Sequence, residues 1–117
     1  MLTGSDSSDL DLWIFEVGPD VEDTFVEVSA NGSDWFAVGK VFGSTAGVDL
    51  DAFGFGTSSA FAYVRLTDDG AEGDQSGLSV GADIDAVGAI STRPVPEPGS
   101  LMLVAIGAAL LAAQRRR

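Results

Sequence analysis

Carboxylates are the side chains present in the number and spacing that chemistry would need. The chain of 117 residues has 18 Asp and Glu, no His and no Cys. Without thiols there is no Cys nucleophile, no thiolate metal site and no disulfide framework. Without imidazole there is no ordinary Ser-His-Asp or Cys-His arrangement and no His-ligated zinc. Two chemistries remain: holding a hard cation, or glycoside cleavage by a carboxylate pair. Calcium takes about six to eight oxygen ligands, and acidic loops can supply them. The candidates are Asp68 and Asp69 at a strand exit, Asp83 and Asp85 on the last strand, and Glu16. No Asp-x-Asp-x-Asp-Gly loop with a distal Glu occurs, so such a site would collect ligands from separate loops. Asp83 and Asp85 are two apart and share a strand face, where a cation or Arg65 on the preceding strand would relieve their repulsion. The competing reading is a solvated acidic surface. A glycosidase needs one carboxyl of raised pKa in a dry cleft. Acids in Gly-rich loops of a small domain do not offer that, so a non-enzyme is expected, with structural calcium as the one cofactor the sequence accommodates.

Aromatic residues are the second chemical resource. Trp13, Trp35, Phe36 and Tyr63 could stack on sugar rings, with Trp35 and Tyr63 as the ligand candidates, although core packing is the usual fate of aromatics in a small sandwich. Gly54-Phe55-Gly56-Thr57 superficially resembles a phosphate loop. It lacks the Lys and the strand-to-helix setting, and reads as a flexible turn. Asn31-Gly32-Ser33 has the form of a glycosylation sequon and reads more simply as a hairpin turn.

The elements that must position these residues are short β runs separated by Gly, Asn, Asp and Ser. Leu10 to Val17 is aromatic and branched and predicts a buried strand; Thr24 to Ser29 and Trp35 to Val41 flank Asn31-Gly32 and predict a hairpin. Phe61 to Thr67 and Ala82 to Ile90 predict two further strands joined by an acidic loop from Asp68 to Asp74. No helical periodicity of useful length precedes residue 100. The expected class is all-β, an antiparallel sandwich.

The end of the chain is of another kind. Met1 to Arg93 holds 3 basic and 17 acidic residues, a balance of −14, whereas Pro94 to Arg117 holds 3 basic and 1 acidic, a balance of +2. So negative a body repels phosphates, so nucleic acid is not an expected partner. Leu101 to Ala113 is an uninterrupted apolar run of 13 residues, followed by Arg115, Arg116 and Arg117. At about 1.5 Å per residue it covers only about 20 Å of a hydrocarbon core of about 30 Å. It is nevertheless apolar on every face, follows the helix-breaking Pro94, Pro96 and Pro98, and ends in arginines that can snorkel to a cytoplasmic surface. A single membrane helix is expected, anchored by Leu101, Leu103, Val104, Ile106, Leu110 and Leu111 and held by the three arginines. The alternative is a short helix docked on the domain.

Val95-Pro96-Glu97-Pro98-Gly99, the apolar run and the basic terminus together resemble the PEP-CTERM sorting signal of Gram-negative bacteria. The resemblance covers Pro94 to Arg117. It implies that Pro96, Glu97 and Pro98 are read by a membrane peptidase, exosortase, and that the mature protein accompanies extracellular polysaccharide and biofilm. Proteins with this signal enter the secretory route through an N-terminal signal peptide. Met1 to Asp9 has neither a basic n-region nor an apolar h-region, so a signal peptide and some strands are expected upstream. The body, in "VEVSANGSDWFAVG", "FAYVRLTD" and "GADIDAVGAI", resembles the later strands of discoidin-like and galactose-binding-like jelly rolls, which implies glycan or lipid head-group binding, often with calcium.

The sequence therefore predicts three parts: an acidic sandwich over 1–93, the motif and linker over 94–100, and a membrane helix with a basic end over 101–117. The expected function is that of an exported, non-enzymatic surface or matrix protein, at the inner membrane with its body outside the cytoplasm and then at the cell surface. A carbohydrate-binding module for exopolysaccharide is the alternative, and a carboxylate hydrolase the second. The expected partners are the membrane, an exosortase-like peptidase and exopolysaccharide.

Overall fold

A computed structural model describes residues 1–17, 21–43, 45–70 and 82–95. Alternation of apolar and polar residues sets its plan. The strands in chain order are β1 (Leu2–Thr3), β2 (Leu12–Glu16), β3 (Val21–Ser29), β4 (Phe36–Gly43), β5 (Gly47–Val48), β6 (Ala60–Phe61), β7 (Tyr63–Asp68) and β8 (Ile84–Ala89), with a 3-10 turn at Leu50–Phe53. They form antiparallel sheets in the orders β5-β2-β8 and β4-β3-β7, and β1 pairs with β6. Leu12 and Ile14 from β2 face Val26 and Val28 from β3, each pair two residues apart as a pleat requires. Val38, Val41 and Val48 complete the aliphatic layer, and Leu2, Leu50 and Phe61 close one end. The body is all-β, with its core between two three-stranded sheets. Pairing is nested: β2 with β8 encloses β3 with β7, and the two pairs lie in different sheets.

One sequence expectation changes, and the structure fills in two others. The Asn31-Gly32 hairpin forms as expected, with Gly32 at φ 78° in the connection 30–35. Asn31 Oδ1 accepts from the backbone N–H of Ser33 and of Asp34, both at 2.8 Å, so its side chain builds the turn. The single strand predicted over Phe61 to Thr67 is two strands, because the chain changes sheets at Ala62, whose N–H donates to Ser29 O at 3.0 Å. Phe61 stays buried beside β1 while Tyr63 enters the β3 sheet. Finally, Met1 to Thr3 is part of the fold: β1 lies between β6 and the chain after β8, with Thr3 N–H donating to Ser91 O at 2.9 Å.

The β4 strand carries the irregularity that shapes one outer face. Phe25 pairs with Lys40 and Glu27 with Ala37, so β4 spends three residues where β3 spends two. Gly39, at φ 98°, absorbs the bulge, and Val38 and Val41 both point into the core despite their odd separation. Among the described residues no helix is long and apolar enough to cross a membrane. The expected membrane helix, 101–117, lies outside the described residues, as do Pro96, Glu97 and Pro98.

Candidate functional site

Because Val26 and Val28 point inward, Phe25 and Glu27 point outward, and the neighbouring strands add Ala37, Lys40, Tyr63, Arg65 and Thr67 to the same face. An open groove of about 390 Å³ lies over the bulge, lined by Phe25, Val26, Glu27, Ala37, Gly39 and Lys40. Lys40 Nζ sits 5.7 Å from the centre of the Phe25 ring and pairs with Asp23 at 3.0 Å and Asp69 at 3.4 Å. Arg65 grips Glu27 through two bonds, Nη2 to Oε2 at 2.8 Å and Nε to Oε1 at 3.2 Å. Hydrogen bonding from Arg65 holds the Glu27 carboxyl below its ordinary range, and the same bond raises Arg65.

The sugar-stacking candidates fare differently. The Arg65 guanidinium lies 4.0 Å from the centre of the Trp35 ring and covers one of its faces. Tyr63 is 51 % exposed, with its ring under Gly32. Phe25, which the sequence reading passed over, is also exposed on this face. Its signal was present in the alternation of Thr24 to Ser29, which puts Phe25 opposite in sense to Val26.

The five predicted calcium ligands are placed as follows. Glu16 Oε1 accepts from Asp83 N–H at 3.0 Å, and Asp68 Oδ1 accepts from Ala82 N–H at 3.2 Å, so both act as caps on the chain entering β8. Asp69 pairs with Lys40. Asp83 and Asp85 are exposed at the start of β8. The expected relief of Asp83 and Asp85 by Arg65 is corrected: β7 and β8 belong to opposite sheets, and Arg65 turns to Glu27. Among the described residues the acids that do converge are Asp11, Asp49 and Asp51, with oxygens within 4.8 Å of one another. Each holds backbone N–H groups. Asp11 Oδ2 accepts from Leu50 at 2.8 Å, Asp49 Oδ1 from Asp51 at 3.0 Å, and Asp51 from Ser5 at 2.8 Å and Asp6 at 3.0 Å. Sequence separation hid this trio. Nor is the turn at Gly54 to Thr57 loose: Asp6 accepts from Thr57 N–H at 2.9 Å and from its hydroxyl at 2.6 Å, which lowers the Asp6 pKa.

Arg93 lies beside the beginning of the chain. Arg93 N–H donates to Met1 O at 3.0 Å, the Met1 ammonium donates to Arg93 O at 2.6 Å, and Pro94 and Val95 beyond them are exposed. The segment that starts there decides the assignment. Residues 94–117 match the PEP-CTERM protein-sorting motif. The PEP-CTERM motif marks the protein for exosortase processing, membrane association and export to the surface. No curated protein and no solved structure was found to match the chain.

Proposed function

We propose that the protein is held in the inner membrane by its PEP-CTERM tail, with the acidic body outside the cytoplasm. An exosortase-like peptidase then passes it to the cell surface or matrix, where it acts without catalysis. The match over 94–117 carries this reading. Two further observations support it. The first two residues of the matched segment, Pro94 and Val95, are exposed and lie outside any strand. Among the described residues, the converging acids Asp11, Asp49 and Asp51 hold backbone N–H groups, which is an architectural task. The test is co-expression with an exosortase. The wild type is expected to lose the mass of its tail, while Pro96→Ala, Glu97→Ala and Pro98→Ala combined leaves full-length protein in the membrane. Equal processing of both would overturn the reading.

A second reading is favoured by the outer face of β4-β3-β7. Phe25 and Tyr63 stand at the two ends of a row with the Glu27–Arg65 pair between them, and four residues of β3 separate their rows, about 14 Å. Apolar rings flanking fixed polar groups suit a short stretch of exopolysaccharide, stacked at its ends and hydrogen-bonded in the middle. The nested pairing of β2 with β8 and β3 with β7 also supports the jelly-roll-like wrapping that glycan-binding modules use. A glycan array probed with wild type and Tyr63→Ala tests it. Retention lost in the variant is expected, and no retention by folded wild type on any glycan contradicts it.

A further inference from the structure

The other outer face has a different character. Leu12 and Ile14 point into the core, so Trp13 and Phe15 point away from it. Trp13 pairs with Gly47 on one side and Gly88 on the other, and Phe15 pairs with Ala86. The glycines form a floor: a Cβ on Gly47 would run into the Leu10 side chain, and one on Gly88 would lie 3.2 Å from Cε2 of Phe15. Trp13 and Phe15 stand 6.4 Å apart between ring centres, Leu10 is 40 % exposed and Phe15 48 %. None of Leu10, Trp13, Phe15, Gly47, Ala86 and Gly88 is charged; the acids of this sheet, Glu16, Asp83 and Asp85, gather at one end, where β2 meets the start of β8. The opposite face carries Glu27, Lys40 and Arg65.

We infer that this face of the β5-β2-β8 sheet rests on the lipid surface that the tail enters. The inference depends on the tail being membrane-inserted. Chain continuity selects the occupant. β8 ends at Ala89 beside Leu12, the chain passes exposed Ile90, and Val95 is six residues from Leu101, a reach of about 20 Å. The body is therefore held close to the bilayer. An uncharged aromatic strip can sink into the interface, where a Trp ring is well placed, while a charged face would have to be desolvated to do so. The acidic remainder of the body opposes anionic head groups, so zwitterionic lipid is the preferred surface.

The two tryptophans lie on opposite faces, which makes the inference measurable in the full chain. Trp35→Phe leaves Trp13 as reporter, and Trp13→Phe leaves Trp35. Each protein is reconstituted in phosphatidylcholine vesicles whose acyl chains carry bromine near the head group. The expected result is several-fold stronger quenching of Trp13 than of Trp35, reduced by Phe15→Ser and by adding phosphatidylglycerol at low salt. Equal quenching of the two, with the chain still resisting carbonate extraction, overturns the inference and leaves the anchor standing. Release of the chain by carbonate overturns both. Trp13 shielded from acrylamide without vesicles, and unshielded on deleting Leu101 to Arg117, assigns the face to the tail and overturns the inference as well.

Discussion

Through its side chain, Asp11 links three parts of the chain that are far apart in sequence. It is wholly buried, accepts Leu50 N–H at one oxygen and the Ser91 hydroxyl at the other at 2.6 Å, and its own carbonyl accepts from Ile90 N–H at 2.7 Å. The start of β2, the 3-10 turn and the exit of β8 are joined there. Asp11→Ala leaves the Leu50 amide unpaired in the interior, and a loss of about 1–3 kcal/mol is expected, read as a lower urea midpoint at unchanged slope. Asp11→Asn keeps an acceptor and should lose less. Glu27 acts through charge instead. Its pKa is lowered by Arg65 in the folded protein, so its contribution is fully present above the unfolded value of about 4.3 and is lost as pH falls through the lower folded value. Glu27→Gln should therefore shrink the stability difference between pH 7 and about pH 3, measured by denaturant unfolding at both. Neither role was legible in the sequence. Whether Arg65 meets Glu27 or Asp83 depends on which strand lies beside β7, and strand order leaves no mark in local composition. The Asp11–Asp49–Asp51 group was hidden in the same way, because only folding brings position 11 to positions 49 and 51.

At the scale of elements, long alternating runs were readable because a period of two needs several residues to show itself. Leu10 to Val17 contains β2, while Thr24 to Ser29 and Trp35 to Val41 overlap β3 and β4, and no end differs by more than three residues. Strands β1 and β5, of two residues each, have no period to detect. The split at Ala62 was invisible for a related reason: Phe61 to Thr67 is uniformly strand-forming, and only the two different partners, β1 and β3, divide it. Gly4 reports on this closing sheet. Its N–H donates to Gly56 O at 3.1 Å, and a Cβ there would strike the Phe55 carbonyl and lie 2.7 Å from Gly56 Cα, both parts of the backbone. Gly4→Ala should cost about 1–3 kcal/mol as overpacking that no rotamer change relieves, seen as a lower melting temperature. A silent substitution would mean that β1 and the turn at Gly54 to Thr57 do not pack together in solution.

The whole molecule is a charge-segregated object: a body of −14 ending in a tail of +2. That division, unlike the pair contacts, could be counted directly, and the tail assignment needed no fold because its signal is composition and order along the chain. The body's own task was less legible, since the difference between its two outer faces depends on which residues alternate outward and on glycines whose strand partners leave no mark in the sequence. The PEP-CTERM motif over residues 94–117 directs this protein to the membrane. Fractionation of the tagged full-length chain, compared with a form lacking Leu101 to Arg117, tests it most directly. Full-length protein should be in the membrane fraction or outside the cell, and the shortened form should be released as soluble protein. Recovery of both forms in the soluble cytosol, in equal amounts, would contradict the account.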